Sequence, residues 1–186
     1  RRLLNQSRGA KTMEFGFTEE QQAIRDTARR FACEKLAPGY RAREESGVID
    51  RALVREMGAL GLIAGDLPAE FGGFGLDSTS IGIVVEEICH ADLNVGYVQV
   101  LGSLNGRIIA AHARPALARE WIPRIVAGEA LVALALTEPR GGSDAAHLQL
   151  RAERDGGGYL LNGEKTSISL SDQADLAVVF ARTGAP

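Results

Sequence analysis

The stretch Leu136-Thr137-Glu138-Pro139-Arg140-Gly141-Gly142-Ser143-Asp144 separates two halves of the sequence that have different hydrophobic patterns. Apolar residues recur at helical spacing before it, and apolar and polar residues alternate after it, as they do in strands. Pro139 fixes its own φ and pushes Glu138 towards an extended conformation, while the glycines let the backbone turn or approach a ligand. The loop therefore offers backbone N–H groups, and Thr137 and Ser143 add hydroxyls that suit a polar, flat or phosphorylated ligand. An ordinary Pro/Gly turn capped by its serine and aspartate is the alternative.

The residues before this loop predict about five helices. Thr18-Glu19-Glu20-Gln21 fits a capping box, in which Thr18 caps a helix that runs to about Leu36 and ends before Pro38. A charged connection at residues 41–45 and a loop rich in Gly and Pro at residues 66–77 interrupt the helical pattern. The other helices are predicted over residues 53–61, 78–88 with Ser78 or Ser80 as cap, 94–113 and 115–128, where Pro123 is expected to kink or shorten the helix.

The residues after the loop predict strands, because short apolar or alternating segments are separated by turn residues. Strands are expected over residues 131–136, 148–153, 159–161, 164–169 and 176–181, with a turn at residues 155–158. No helix connects these strands, so we expect antiparallel rather than parallel pairing. The predicted fold class is α+β and multidomain, with an N-terminal all-α helical domain followed by an incomplete, antiparallel, β-barrel-like domain.

Composition argues against several classes of function. The chain has 186 residues and a net charge of −3, without clusters of Lys and Arg among aromatics, so a nucleic acid is not an expected partner. Its apolar runs are far shorter than the ~20 residues of a transmembrane helix, so no membrane span is expected. Cys33 and Cys89 lie in helical patterns and are expected to be buried free thiols in a reducing compartment. His90, His112 and His147 lack ligand spacing, so no metal site is predicted.

Two further features have both a functional and a structural interpretation. The loop at residues 66–77 carries two aromatic side chains and could hold a ligand, but a packed surface loop explains it equally well. Glu86 and Glu87 suggest general-acid chemistry, yet adjacent residues on a helix point about 100° apart, so at least one of them is expected to be solvated. The opening loop itself lacks the Gly-Lys-Ser/Thr of a Walker motif and the βαβ setting of a dinucleotide-binding fingerprint.

Five groups of residues occur in a specific order along the chain. They are Phe17-Thr18-Glu19-Glu20-Gln21 with Arg25 and Phe31, Pro68-Ala69-Glu70-Phe71-Gly72-Gly73, Gly128-Glu129, Leu136-Thr137-Glu138-Pro139 with Gly142-Ser143-Asp144, and Asn162-Gly163-Glu164-Lys165 with Ala174-Asp175. Together they resemble the acyl-CoA dehydrogenase family, whose members have an N-terminal helical domain, a middle β domain and a C-terminal helical bundle. The resemblance covers residues 17–186. It implies a tail at residues 1–16, the helical domain at 17–129 and a truncated β domain at 130–186, so the chain is expected to be a fragment.

The resemblance implies FAD as the cofactor and assigns residues to it. Leu134, Leu136 and Thr137 match the stretch that contacts the flavin, with Thr137 at the ring. Gly142 and Ser143 are expected towards the phosphates. Ser143 also matches a position that approaches the acyl-CoA substrate.

Ser167-Ile168-Ser169 matches the family's aromatic-Ile-Thr triplet beside the flavin, where the last hydroxyl reaches the ring nitrogen that receives the hydride. Ser169 keeps that hydroxyl, but Ser167 does not keep the aromatic ring. This change loses about 1 to 3 kcal/mol of apolar burial and leaves either an open flavin or a gap that another side chain fills. Neutral drift with local repacking is the alternative. The variant at residues 165–169 is similar to that of members acting on alicyclic acyl-CoA thioesters, but it is too short to assign a substrate.

The reaction implied is α,β-dehydrogenation, in which a glutamate removes the α-proton while the β-hydrogen leaves as hydride to the flavin. In this family the base comes from the C-terminal bundle, so no residue of this chain, including Glu86, Glu87 and Glu138, is expected to be catalytic. The expected partners are an acyl-CoA substrate, an electron-transfer flavoprotein or similar acceptor, and further copies in a homotetramer or dimer. The expected compartment is the cytoplasm, or the mitochondrial matrix in a eukaryote. A flavin oxidase or monooxygenase on the same fold and a non-catalytic binding or assembly protein are the alternatives.

Overall fold

A computed structural model describes residues 15–184 of the chain. Most of the expected N-terminal tail, residues 1–14, lies outside the described residues. The elements within them are α1 (Glu19–Phe31), α2 (Tyr40–Ser46), α3 (Arg51–Ala59), α4 (Ser78–Ala91), α5 (Leu93–His112), α6 (Pro115–Val126), β1 (Val132–Ala135), β2 (Arg151–Asp155), β3 (Gly158–Asn162) and β4 (Leu176–Val179). The predicted order, a helical part followed by a partial β region, is confirmed.

The first helix begins where the capping box predicts. The Thr18 side chain accepts a hydrogen bond from the Gln21 amide, and the Gln21 side chain accepts one from the Thr18 amide, both at 3.1 Å. A π-helical turn (Ala32–Leu36) and a 3-10 turn (Ala37–Gly39) then lead directly into α2. The prediction of a non-helical connection at residues 41–45 is wrong, because Arg, Ala and Glu are good helix formers and Gly47, with φ of 67°, supplies the helix end.

The cap of α4 differs from the predicted one. The Asp77 carboxylate accepts a hydrogen bond from the Ser80 amide at 2.7 Å, and this bond lowers the pKa of Asp77. The prediction of Ser78 or Ser80 as cap is wrong because both residues already have helical conformation, so the capping position falls one residue earlier. Further along, α6 ends at Val126, within one turn of Pro123.

The main core lies among α1, α3, α4, α5 and α6, and the start of β1 packs into it. Helix α5 is buried on several sides, as predicted, and it carries two fully buried polar side chains, Gln99 and Asn105. Gln99 is accommodated because its amide accepts from the Ala64 backbone and donates to Ser103. Among the helices of residues 15–184, none combines the length and the apolar character needed to cross a membrane.

Helices α1 and α4 are joined by the buried carboxylate of Glu87. It accepts hydrogen bonds from Arg29 at 2.7 and 2.9 Å and from Arg25 at 2.9 Å. The bond from Arg29 is the largest contribution, and together these bonds hold the pKa of Glu87 below its ordinary value against the opposing effect of burial. Glu86 is exposed, so the expectation that at least one of the two carboxylates is solvated is confirmed. Glu87 therefore serves the packing of the helices.

Both cysteines are free thiols, but their burial differs from the prediction. Cys89 is partly buried, and burial raises the pKa of its thiol. Cys33 is exposed, so the prediction of two buried thiols is wrong for this residue. The reason is local, because the π-helical turn that carries Cys33 directs Ala32 and Leu36 into the core instead.

The loop at residues 66–77 is a packed loop on the helical core. Leu67 is buried, and the amides of Phe74 and Leu76 donate hydrogen bonds to the Gly65 carbonyl at 2.9 and 3.1 Å. Of its two aromatic side chains, Phe71 packs against the core and Phe74 is exposed. The structural interpretation of this loop therefore accounts for most of its residues.

Strand pairing is only partly as predicted. β2 and β3 form the expected antiparallel hairpin, whereas β1 and β4 pair in parallel, with Leu134 opposite Val178. The expectation of antiparallel pairing throughout is wrong because the hairpin itself lies in the crossover that returns the chain in the same direction. Residues 164–169 are not a strand, since Ser167 has φ of 55° and interrupts the extended backbone. The four described strands form two separate two-stranded sheets and no closed barrel.

Candidate functional site

Strand β1 carries the chain from the helical core to the loop at residues 136–144. The alternation of a strand places Ala133 and Ala135 on one face and Leu134 on the other. Both alanines are buried, whereas Leu134 and the following Leu136 are only partly buried. The strand therefore presents two large apolar side chains with part of their surface still accessible.

The loop after β1 is closed by a pair of backbone hydrogen bonds between Glu138 and Gly141, at 2.9 and 3.0 Å. Beyond this turn Gly142 packs closely against Thr137, because a Cβ at position 142 would lie 2.9 Å from the Thr137 hydroxyl oxygen. Within residues 15–184, no backbone carbonyl accepts a hydrogen bond from the amide of Gly142 or Ser143. These two amides can therefore donate to a bound ligand.

A second segment, residues 165–169, lies against this loop. The Thr166 amide donates a hydrogen bond to the Thr137 carbonyl at 3.0 Å, which brings the two segments together. Ser167 follows in a left-handed conformation with φ of 55°. Bulky side chains rarely adopt this conformation, so the backbone here suits serine better than an aromatic residue.

The segment also borders a cavity of about 560 Å³ next to β1 and β4. Its lining is dominated by small side chains and hydroxyls, namely Ala133, Ala135, Ala174, Ala177, Thr166, Ser167 and Ser171, together with Lys165, Ile168 and Leu176. Cavities of roughly 300 to 1,000 Å³ are typical of small-molecule and cofactor sites.

The structure brings some of the predicted cofactor residues together and separates others. Ser167 and Ile168 line the cavity, and Thr137 is bonded to the residue that precedes them. Leu134 and Leu136 alternate with the cavity-lining alanines of β1 and so belong to the opposite face. Gly142 is packed beside Thr137, whereas Ser143 and Ser169 are exposed and do not line the cavity.

One feature of the site that the sequence pattern missed is an ion pair between Glu138 and Lys165. The Lys165 Nζ atom lies 2.9 Å from Glu138 Oε1, and both side chains are more than nine-tenths buried. The hydrogen bond from Lys165 and those from the Leu150 and Gln149 amides lower the pKa of Glu138 to about 2. The two residues are 27 positions apart, so no local spacing could have revealed the pair.

A second missed contact ties the β region to the helices through Asp175. Its carboxylate accepts from Arg51 at 2.6 Å and from the Leu131 amide at 2.8 Å. Burial acts to raise the pKa of Asp175, but these bonds lower it below its ordinary value. The neighbouring Gln173 accepts from the Ile49 amide and donates to the Gly47 carbonyl, each at 2.9 Å. The segment that follows residues 165–169 is therefore anchored on the helical part.

These residues fit the flavin cofactor that the resemblance implies. The free amides of Gly142 and Ser143 are suitable donors to phosphate oxygens. The partly buried Leu134 and Leu136 offer an apolar surface, and Thr137, which is also partly buried, adds a hydroxyl.

Two family models match the chain. The acyl-CoA dehydrogenase N-terminal domain matches residues 18–129, and the acyl-CoA dehydrogenase middle domain matches residues 133–186. (2S)-methylsuccinyl-CoA dehydrogenase of Cereibacter sphaeroides is 34% identical over 171 residues, which cover 90% of this chain and 31% of that protein. The mitochondrial short-chain specific acyl-CoA dehydrogenase of Mus musculus is 36% identical over 166 residues, which cover 89% of this chain and 40% of that protein.

A solved structure shows the same arrangement. The glutaryl-CoA dehydrogenase from Mycobacterium smegmatis, in complex with FADH2, has a TM-score of 0.84 to this chain at 30% identity. The match covers 90% of this chain and 43% of that one. The chain thus spans less than half the length of these three relatives, whose names indicate different acyl groups in their substrates.

Proposed function

The chain belongs to the acyl-CoA dehydrogenase family, and on that basis we propose that it forms part of an FAD-dependent oxidoreductase that catalyses α,β-dehydrogenation of an acyl-CoA thioester. The observation that carries the proposal is the match of both family models across residues 18–186, in the order helical domain then β domain. We take the boundary between the two domains to lie near residue 130, between Gly128 and β1. The 31–46% of its relatives' length that the chain covers leaves room for further domains in the active protein.

In this proposal the eight assigned residues bind different parts of the cofactor. Leu134, Leu136 and Thr137 would hold the flavin from the first segment, with the Thr137 hydroxyl at the ring. The Gly142 and Ser143 amides bind the phosphates, which is supported by the absence of backbone acceptors for them within residues 15–184. Ser167, Ile168 and Ser169 would hold it from the second segment, with the Ser169 hydroxyl at the ring nitrogen that accepts the hydride. FAD supplies the oxidising centre of the reaction when bound.

The proton chemistry is proposed to use a base outside these 186 residues. Glu138 is unsuited to that role because its carboxylate is held by Lys165 and two backbone amides, and its pKa of about 2 makes it a weak proton acceptor. Glu87 is unsuited because its carboxylate is hydrogen-bonded to Arg25 and Arg29 in the helical core. The substrate approaches Ser143, which is exposed at the rim of the loop.

The same family membership suggests the partners and the compartment. The reduced flavin would pass its electrons to an electron-transfer flavoprotein or a similar acceptor. The active form would be a homotetramer or a homodimer in the cytoplasm, or in the mitochondrial matrix if the source is a eukaryote.

The test uses the full-length protein, purified without cofactor and reconstituted with FAD. We expect stoichiometric flavin binding, bleaching of the flavin absorbance by one class of acyl-CoA, and reduction of an artificial electron acceptor only when that thioester is present. A panel of straight, branched, dicarboxylic and alicyclic acyl-CoA thioesters identifies the class. Absence of bound flavin, or of acceptor reduction with every thioester, would contradict the proposal.

A matched pair of hydroxyl deletions tests the residue assignment. Ser169→Ala removes the hydroxyl proposed to reach the flavin and should slow flavin reduction by about tenfold or more. Ser78→Ala removes an exposed hydroxyl at the start of α4 and should leave the rate unchanged. Equal rates of flavin reduction in the two variants would show that the Ser169 hydroxyl does not contact the flavin.

The 186-residue chain by itself is expected to bind FAD weakly and to turn over no substrate. Its two-stranded sheets leave strand edges unpaired, and the proposed base is not among its residues. Equilibrium titration of the purified chain with FAD, followed by flavin fluorescence, measures this. Tight, stoichiometric binding would contradict the expectation.

A second candidate, a flavin oxidase on the same fold, is favoured by one observation. Ser167 is small and exposed beside the 560 Å³ cavity, where the family carries an aromatic side chain. An open flavin is more accessible to oxygen than a covered one. Rapid reoxidation of the substrate-reduced protein by O₂ would support the oxidase, and slow reoxidation would support the dehydrogenase.

A further inference from the structure

The carboxylate of Glu138 joins the two segments of the proposed flavin site to the residues just before β2. Its Oε1 atom accepts from Lys165 Nζ and from the Leu150 amide, both at 2.9 Å, and its Oε2 atom accepts from the Gln149 amide at 2.6 Å. Lys165 donates a further hydrogen bond to the Leu136 carbonyl at 2.9 Å. One buried ion pair therefore connects the loop after β1, the start of β2 and the segment at residues 165–169.

The pair also lies between two cavities. Lys165 lines the 560 Å³ cavity together with Ser167 and Ile168. Glu138 lines a separate, polar cavity of about 220 Å³, with Arg140 and His147 among its other lining residues. A change of charge at either member of the pair therefore acts close to Ser167 and Ile168, two of the residues assigned to the flavin.

The burial of this pair calls for a functional reason. Two charges that are more than nine-tenths buried are costly to desolvate, and well-packed apolar residues of similar size would often stabilise a fold equally well. Apolar replacements would not, however, join the Leu136 carbonyl to the amides of Gln149 and Leu150. The contacts that only the charged pair can make are those that fix the two flavin-facing segments relative to each other.

We propose that Glu138 and Lys165 are positioning residues for the flavin, which clamp the loop at residues 136–143 to the segment at residues 165–169 and balance the charge beside the cofactor. The proposal rests on the proposed function. Neither residue is assigned a contact with substrate, and both act through the segments that they hold.

The opposite charges of the two residues predict a difference between their variants that a loss of protein stability alone would not produce. In Glu138→Gln the ammonium of Lys165 is left unpaired, and a cation next to the cofactor stabilises its reduced, anionic form. In Lys165→Met the carboxylate of Glu138 is left unpaired and destabilises the same form. The midpoint potential of the bound flavin is therefore expected to rise in the first variant and to fall in the second, and the double variant is expected to lie between them.

The experiment uses the full-length protein loaded with FAD. Each single variant is expected to raise the dissociation constant for FAD on the order of tenfold, a fraction of the cost of leaving a buried charge unpaired. The control is Arg43→Met, which breaks the buried pair of Arg43 and Asp92 in the helical part, joined at 2.7 Å, and should lower stability without moving the flavin potential. A second measurement on the cofactor-free protein follows amide hydrogen exchange at Gln149 and Leu150. Exchange should accelerate in Glu138→Gln, because the glutamine amide replaces one acceptor by a donor.

The outcomes separate the clamp from the proposed function. An unmodified protein that binds no flavin would overturn the proposed function, and the clamp's role towards the flavin with it. The clamp alone is overturned if the unmodified protein binds FAD and both single variants bind it as tightly as the unmodified protein does. It is also overturned if the two variants shift the flavin potential in the same direction. Opposite shifts together with weaker binding would support it.

Discussion

The helical part, residues 18–129, and the β region, residues 130–184, are stabilised in different ways. The helices enclose one continuous core and are joined by ion pairs such as Glu87 with Arg25 and Arg29. The β region consists of two separate two-stranded sheets, and all five residues of β3 are exposed. Since apolar burial is the main favourable term in folding, most of the stability of this chain resides in its helices.

The difference shows where the proposed site draws its rigidity. β1 packs into the helical core at Leu131 and Val132, so the loop that follows starts from a fixed position. The second segment of the site has no such core and is fixed by polar contacts, those of Lys165 on one side and those of Gln173 and Asp175 on the other. One segment of the site is thus held by apolar packing and the other by polar contacts. The following substitutions test the two kinds of contact one at a time.

The largest effect is expected where the two regions meet, at Gly128. This residue has φ of 70°, and a Cβ on it would lie 2.2 Å from the Val54 carbonyl oxygen, a backbone atom that cannot rotate away. Gly128→Ala should therefore lower the free energy of unfolding by about 2 to 5 kcal/mol through strain and displacement of α3 from the start of β1. Urea denaturation followed by the fluorescence of Trp121 measures this.

The matched control is Gly82→Ala in α4, where a Cβ would meet nothing within 4 Å. This substitution should stabilise the chain by about 0.5 to 1 kcal/mol, because alanine is the better helix former. Similar stabilities for the two alanine variants would show that α3 does not pack closely against the junction.

The next effect lies wholly within the helical part. Glu87→Gln removes the charge that Arg25 and Arg29 share and should cost about 1 to 3 kcal/mol, since both hydrogen-bonding partners lose a charged acceptor. Glu86→Gln changes the exposed neighbour and should stay within about 0.5 kcal/mol of the parent. Equal losses would mean that net charge, rather than the buried contacts of Glu87, controls the stability of the helices.

Acid should weaken the β region through Glu138. The folded-state pKa of about 2 is below the ordinary value of 4.5, so the stability that this group contributes is present above about pH 4.5 and is lost as the pH falls towards 2. The difference in amide exchange at Leu150 between the parent and Glu138→Gln should therefore shrink over this interval. A difference that stays constant from pH 6 to pH 2.5 would show that Glu138 is not ionised in the way its contacts require.

The sequence predicts the helical part well because its signals are local. The capping box at Thr18, the proline at the start of α6 and the glycine after its end each act within a few residues, and each is found in the structure. The errors are also local. Asp77 rather than a serine caps α4, and α2 replaces a connection whose charged residues were good helix formers.

The candidate site is less predictable because its contacts are distant in the sequence. The loop at residues 136–144 is recognisable from its proline and glycines, but Glu138 and Lys165 are 27 residues apart and Leu131 and Asp175 are 44 apart. The parallel pairing of β1 with β4 leaves no pattern in the sequence that distinguishes it from antiparallel pairing. The sequence also does not predict the left-handed conformation of Ser167, because serine is common in every kind of loop.

The smallest effect is expected on the exposed face of β3, and it depends on the length of the chain. Leu160 is 60% exposed, so Leu160→Ser should change the free energy of unfolding of the 186-residue chain by less than about 0.5 kcal/mol, whereas Leu131→Ala, at a fully buried position, should cost about 2 to 5 kcal/mol. In a longer protein whose additional residues cover β3, Leu160→Ser should cost about 1 to 2 kcal/mol more, because the leucine would then be buried. Denaturation of both variants in both lengths of chain measures the difference. An equal, small cost of Leu160→Ser in the two proteins would show that the face of β3 stays open to solvent, and that the weak packing of the β region belongs to the active protein as well.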